Sequence, residues 1–83
     1  MTTAYLLVNT PLGEEEKAFG ILKSKSFVRE AYRVKEAPYD ITALVEMESA
    51  DVLREAAKNL KTKNPEYISS ITTLILADKP EIQ

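Results

Sequence analysis

Two strand-like segments joined by a five-residue turn constrain this chain more than any other feature. The first, from Phe27, carries Val28, Tyr32 and Val34 at period two, and the second carries Ile41, Ala43, Val45 and Met47 in the same rhythm. Alternation at period two is the mark of a half-buried strand, so both arms read as strands. Between them lies Glu36-Ala37-Pro38-Tyr39-Asp40. Proline fixes φ and donates no backbone hydrogen bond, and aspartate tolerates tight turns, so the segment reads as a hairpin connection.

The flanks complete the pattern. Ala4 to Asn9 is β-rich and apolar on both faces, as in a central strand covered on both sides. Thr10-Pro11-Leu12-Gly13 breaks that strand, and Glu14-Glu15-Glu16 opens a helix where acids favour the positive end of the helix dipole. Its buried face is Ala18, Phe19 and Leu22, and Gly20 sits inside it at a cost of up to about 1 kcal/mol relative to alanine. After Met47, Ser49 reads as an N-cap for a helix over Ala50 to Lys61, with Val52, Leu53, Ala56, Ala57 and Leu60 as one apolar stripe. Asn64-Pro65 ends it, Tyr67 to Ala77 reads as the last strand, and Asp78 to Gln83 as a short tail. In that strand Ile68, Ser70, Thr72, Leu74 and Leu76 share one face.

The order βαββαβ predicts an α+β fold, a ferredoxin-like plait whose four-stranded antiparallel sheet carries two helices on one face. Residues 1–83 are expected to form a single domain. A chain of 83 residues buries only about 60–65% of its unfolded surface, yet 45% of its residues are hydrophobic. Two helices cover one sheet face only. The apolar residues on the other face therefore predict a twofold dimer packed sheet to sheet, a dimeric barrel-like α/β assembly.

With no cysteine and no histidine, the chain lacks thiol chemistry, the usual zinc ligands and the commonest general base. No catalytic residue, metal ligand or cofactor is expected. The Gly13 and triple-glutamate stretch is not a phosphate loop, having neither spaced glycines nor a lysine. A net charge of −2 argues against direct DNA binding, which clustered Lys and Arg dominate. No apolar run reaches the roughly 20 residues of a membrane span, so the expected location is cytoplasmic.

Ala4-Tyr-Leu-Leu-Val-Asn-Thr10, the run Val28-Arg-Glu-Ala-Tyr-Arg-Val34 before a turn ending Tyr39-Asp40, and Ser70-x-Thr72 before an apolar run resemble the ligand-binding domain of the Lrp/AsnC (feast/famine) regulators, the RAM module. The resemblance covers residues 4 to 77 and rests on joint order and spacing. In that family a helix-turn-helix precedes the module, so this chain resembles the stand-alone subgroup without one. The resemblance implies a homodimer joined into an octamer or decamer ring, a free amino acid or related small ligand bound where dimers meet, and pairing with full-length regulators of the family. It implies no enzymatic activity. The family's effector site draws on this turn, which places Tyr39 and Asp40 there, with Ser70 and Thr72 as further candidates. A carboxylate such as Asp40 suits an α-ammonium, and hydroxyls suit an α-carboxylate. The family turn reads Gly-x-Tyr-Asp; here Lys35-Glu36-Ala37-Pro38 precede Tyr39, with one residue more and no glycine.

Plainer readings stand beside these. Asp40 suits a turn residue bonding its own backbone, Tyr32 and Tyr39 suit packing at a sheet or dimer edge, and Ser69 to Thr73 suits ordinary strand composition. Arg29 and Arg33, alternating with Glu30 and Glu36, read as a solvated or paired strand. Three other classes share the topology. An RNA-binding plait would need stacking aromatics that Ile41 to Met47 lacks. A small ferredoxin-like dimeric enzyme would need a paired acid and base. An ACT-like amino-acid-binding domain would use a glycine loop after the first strand, for which Gly13 is available.

Overall fold

The computed structural model describes residues 1–76. Its elements are β1 (Thr2–Asn9), α1 (Glu15–Lys23), β2 (Val28–Arg33), β3 (Ile41–Met47), α2 (Ala50–Lys63) and β4 (Ser70–Ile75). They form one antiparallel sheet in the order β2-β3-β1-β4, with both helices on the same face, the ferredoxin-like plait. The expected tail, Asp78 to Gln83, and Ala77 lie outside the described residues.

The core is the layer between sheet and helices. Ala4, Leu6 and Val8 of β1 alternate with Ile41, Ala43 and Val45 of β3 beneath Ala18 and Leu22 of α1 and Leu53, Ala57 and Leu60 of α2. Local chemistry fixes where the helices start and stop. Ser49 caps α2, its hydroxyl accepting from the Val52 N–H at 3.2 Å, and the Asn64 side-chain amide donates to the Leu60 carbonyl at 3.0 Å. That cap carries α2 to Lys63, two residues beyond the expected end. Gly13 enters α1 through a left-handed φ of 87°. Gly20 has open space where a Cβ would stand, so its place in the helix is tolerated rather than required.

Three expectations need correction. Val52 is 41% exposed, because the buried face of α2 follows Leu53, Ala57 and Leu60, and Val52 sits a further 100° around the helix. Val28 and Tyr32 do not share a face: a bulge between Val28 and Glu30 turns Val28 and Ala31 toward the helices and leaves Tyr32 on the opposite side. Ile68 does not stand beside Ser70 and Thr72. The strand begins only at Ser70, and a turn closed by the Tyr67 and Ile68 N–H groups on the Asn64 carbonyl drops Ile68 into the core, 1% exposed.

The sheet face away from the helices has no cover within the protomer. Strand register arranges it in rows: Tyr32, Thr42, Leu7 and Thr72, then Glu30, Leu44, Tyr5 and Leu74, then Glu46, Thr3 and Leu76. Tyr5, Tyr32, Leu74 and Leu76 are all exposed.

Candidate functional site

Antiparallel topology brings the β1–α1 loop, the β2–β3 turn and the start of β4 to one end of the plait. The turn is closed by the Val34 N–H donating to the Asp40 carbonyl, and the Asp40 N–H continues the sheet by donating to the Val8 carbonyl, both at 2.9 Å. The chain reverses through Glu36, whose φ is 56°. Thus the left-handed position that a glycine commonly supplies in such turns is present here, occupied by glutamate.

Asp40 does not bond its own backbone. Its Oδ2 accepts from the Thr10 N–H at 2.9 Å and from the Thr10 hydroxyl at 3.3 Å, so the carboxylate fastens the β2–β3 turn to the exit of β1. Tyr39 is half-buried and makes no side-chain hydrogen bond among the described residues. Beside Asp40 is a recess of about 400 Å³ lined by Glu15, Arg33, Val34 and Lys35 as well. Arg33 pairs in register with the buried Ile41, which places it on the helix side of the edge strand, where α1 begins.

Ser70 and Thr72 lie on the uncovered face of β4. Ser70 stands opposite Asn9, whose side-chain amide donates to the Ser70 hydroxyl at 3.3 Å, and Thr72 stands exposed opposite Leu7. Strand β1 runs between these hydroxyls and Asp40. Two interstrand spacings amount to about 10 Å, so within one protomer the turn and the hydroxyl row are separate polar patches. The structure therefore brings Tyr39 with Asp40, and Ser70 with Thr72, to one end of the sheet without joining the pairs.

Thr10, Asn9 and Glu15 are not among the site residues expected from the sequence, and it is the topology, placing three loops at one end, that points to them. Arg29 pairs across strands with Glu46 at 3.0 Å rather than with a neighbour in its own strand. The Tyr32 hydroxyl donates to Glu30 Oε1 at 2.8 Å, and that carboxylate, favouring the protonated phenol, raises the Tyr32 pKa above its usual value. Among the described residues no group of three His, Cys, Asp or Glu is placed to hold a metal, and no helix is long and apolar enough to cross a membrane.

No protein-family model matches the sequence, and no curated protein matches it. Solved structures do. A hypothetical protein of Pyrococcus horikoshii is 30% identical over 95% of this chain and 93% of its own, with a TM-score of 0.82. FFRP-DM1 is 28% identical over 93% of this chain and 100% of its own, also at 0.82. E. coli AsnC is 25% identical over 99% of this chain, at 0.80. The chain belongs to the Lrp/AsnC family. It is a RAM module of that family, spanning 54% of AsnC and the whole, or nearly so, of the two smaller chains. A more distant likeness, 6% identical with a TM-score of 0.77, is to a Neisseria meningitidis regulator solved with L-Met. The turn of this chain ends in Tyr39-Asp40, contains no glycine, and takes its left-handed conformation at Glu36.

Proposed function

We propose that this RAM module binds a free amino acid or a related small ligand and assembles through its uncovered sheet face, without enzymatic activity of its own. The observation that carries the reading is the division of that face. Its middle row sets Leu44, Tyr5 and Leu74 side by side, with Leu7 in the row next to it, while toward the turn Thr42 and Thr72 flank Leu7 and Asn9 stands opposite Ser70, so that end is polar. An apolar patch rimmed by polar groups suits a self-complementary interface about a twofold axis. Dimers joined into a ring of eight or ten would bring the turn of one dimer against another, and Tyr39, Asp40, Ser70 and Thr72 are the proposed contacts there. The proposed route to transcription runs through partners such as full-length Lrp/AsnC regulators, since a net charge of −2 disfavours direct DNA contact. Support for an amino acid ligand comes from family membership and from the L-Met of the Neisseria regulator.

Thermal unfolding of the purified protein against each of the twenty amino acids at millimolar concentration tests the ligand part. A ligand bound only by the folded state stabilises it by about 2–3 kcal/mol at a hundredfold excess over its Kd. A selective, saturable rise in Tm is expected. A flat panel contradicts amino acid binding and leaves an assembly module alone.

A further inference from the structure

We propose that the cleft between the α1–β2 connection and the second half of α2 binds a small carboxylate with an apolar body about the size of phenylacetate, the body resting on Phe27, Ala56 and Leu60 and the carboxylate meeting Lys25 and Lys63. The cleft shares no residue with the β2–β3 turn or the hydroxyl row of β4, and the inference does not depend on the amino-acid reading above. No Cα of α1 comes within 8 Å of any Cα of α2. Helices in close contact, with axes about 8–10 Å apart, bring Cα atoms well inside that distance. The two helices are therefore joined through the sheet and not to each other, and a cleft of about 180 Å³ opens along α2.

Backbone bonds set one wall. The Lys25 N–H donates to the Leu22 carbonyl and the Lys25 carbonyl accepts from the Val28 N–H, both at 3.1 Å, while the Phe27 carbonyl accepts from the Glu46 N–H at 3.1 Å and ties that wall to the sheet. The other wall is a row of α2 at helical spacing, Ala56, Leu60 and Lys63. Leu60 belongs to the core and Phe27 packs against it, so the floor is apolar and favours an apolar group over water. The chain carries 13 acidic residues against 11 basic, yet the described residues lining this cleft include two lysines, two asparagines and no carboxylate. An apolar floor rimmed by ammonium groups suits an apolar body with an anionic head, and no charged group stands there to take an ammonium. The C-terminal end of a helix ordinarily disfavours an anion. Here its carbonyls are covered: that of Leu60 accepts from the Asn64 N–H at 3.2 Å and the Asn64 side-chain amide at 3.0 Å, and that of Lys61 from the Asn64 N–H at 3.3 Å. The cleft is smaller than the roughly 300–1,000 Å³ of drug-sized sites, which limits the body to about one ring.

The test is a titration of the ¹⁵N-labelled full chain with phenylacetate, with 2-phenylethanol as the same body uncharged, phenethylammonium as the body with the opposite charge, and acetate as the head alone. Phenylacetate is expected to shift the amides of residues 25, 27, 60 and 63 saturably, and each of the others to bind about tenfold more weakly or not at all. Lys25→Gln combined with Lys63→Gln should weaken phenylacetate about tenfold, to the level of 2-phenylethanol. Lys58→Gln, on the same helix but outside the cleft, should bind as the unaltered protein does. Ala56→Leu, which fills the cleft, should abolish binding; if it disturbs the fold, the lysine pair carries the same test. Absence of a saturable shift at these four residues, equal binding of phenylacetate and 2-phenylethanol, or phenylacetate binding unchanged in the double lysine variant overturns the assignment. Because no turn residue lines the cleft, each of those results leaves amino acid binding at the turn standing.

Discussion

Gly13 and Gly20 both leave room for a methyl group, yet alanine will move stability in opposite directions at the two positions. Gly20 is helical and unopposed, so Gly20→Ala should stabilise by up to about 1 kcal/mol. Gly13 holds a φ of 87°, where a Cβ crowds its own backbone, so Gly13→Ala should destabilise by about 1–2 kcal/mol. Urea unfolding of the two variants decides this, and equal signs would contradict the backbone assignment. Asp40 makes a second prediction at this scale. Asp40→Ala removes both bonds to Thr10 and should cost about 1 kcal/mol, given that the group is half exposed, while Asp40→Asn keeps an acceptor and should cost less. If urea midpoints show the two substitutions to be equal and silent, the carboxylate does not fasten the loops. That role was not legible in the sequence, because Thr10 and Asp40 are thirty residues apart and only strand pairing brings them together. The turn was legible in its location and obscure in its shape. Nothing in Lys35-Glu36-Ala37-Pro38 announces that glutamate takes the left-handed position, which the turn's closure at Val34 and Asp40 imposes.

Among the elements, α2 shows most clearly what periodicity can and cannot deliver. Its apolar stripe identified the helix and its buried side, but a stripe five residues wide does not say which edge of it meets the sheet. Leu53 is 1% exposed and Val52 41%. Leu53→Ala should therefore cost about 2–5 kcal/mol and Val52→Ala no more than about 0.5 kcal/mol, measured by thermal or urea unfolding. Comparable losses at the two positions would mean that the helix is rotated from its place here. Strand β2 went further astray for a definite reason. A bulge inserts one residue on one strand of a pair and inverts every side chain beyond it, and the run Val28-Arg29-Glu30-Ala31 contains no glycine or proline to mark it. Ile68 misled similarly, since its alternation with Ser70 and Thr72 persists in the sequence although the strand starts after it. β1, β3 and the order of all six elements were readable because both central strands bury every second residue on the helix side.

For the whole molecule, the governing fact is a sheet with one face packed and the other bare. The core beneath two short helices is small, and the rows bearing Tyr5, Leu7, Leu44, Leu74 and Leu76 have no cover in the protomer. In the proposed dimer, burying those rows against their own copy would supply burial that a chain of this size cannot find internally. In the proposed sheet-to-sheet dimer the polar end of the plait, with its turn and hydroxyls, would lie at the rim of the interface, where assembly and ligand would influence each other. Light scattering on the purified protein tests this most directly, comparing the unaltered chain with Leu74→Glu. A charge placed beside Tyr5 in the middle row would be buried without a partner in a sheet-to-sheet dimer. The unaltered protein is predicted to show a native mass that is an even multiple of the 9.3 kDa protomer, and Leu74→Glu to fall to the protomer mass while keeping its secondary structure. A protomer mass for the unaltered chain, or a multimer that Leu74→Glu leaves intact, would contradict assembly through this face.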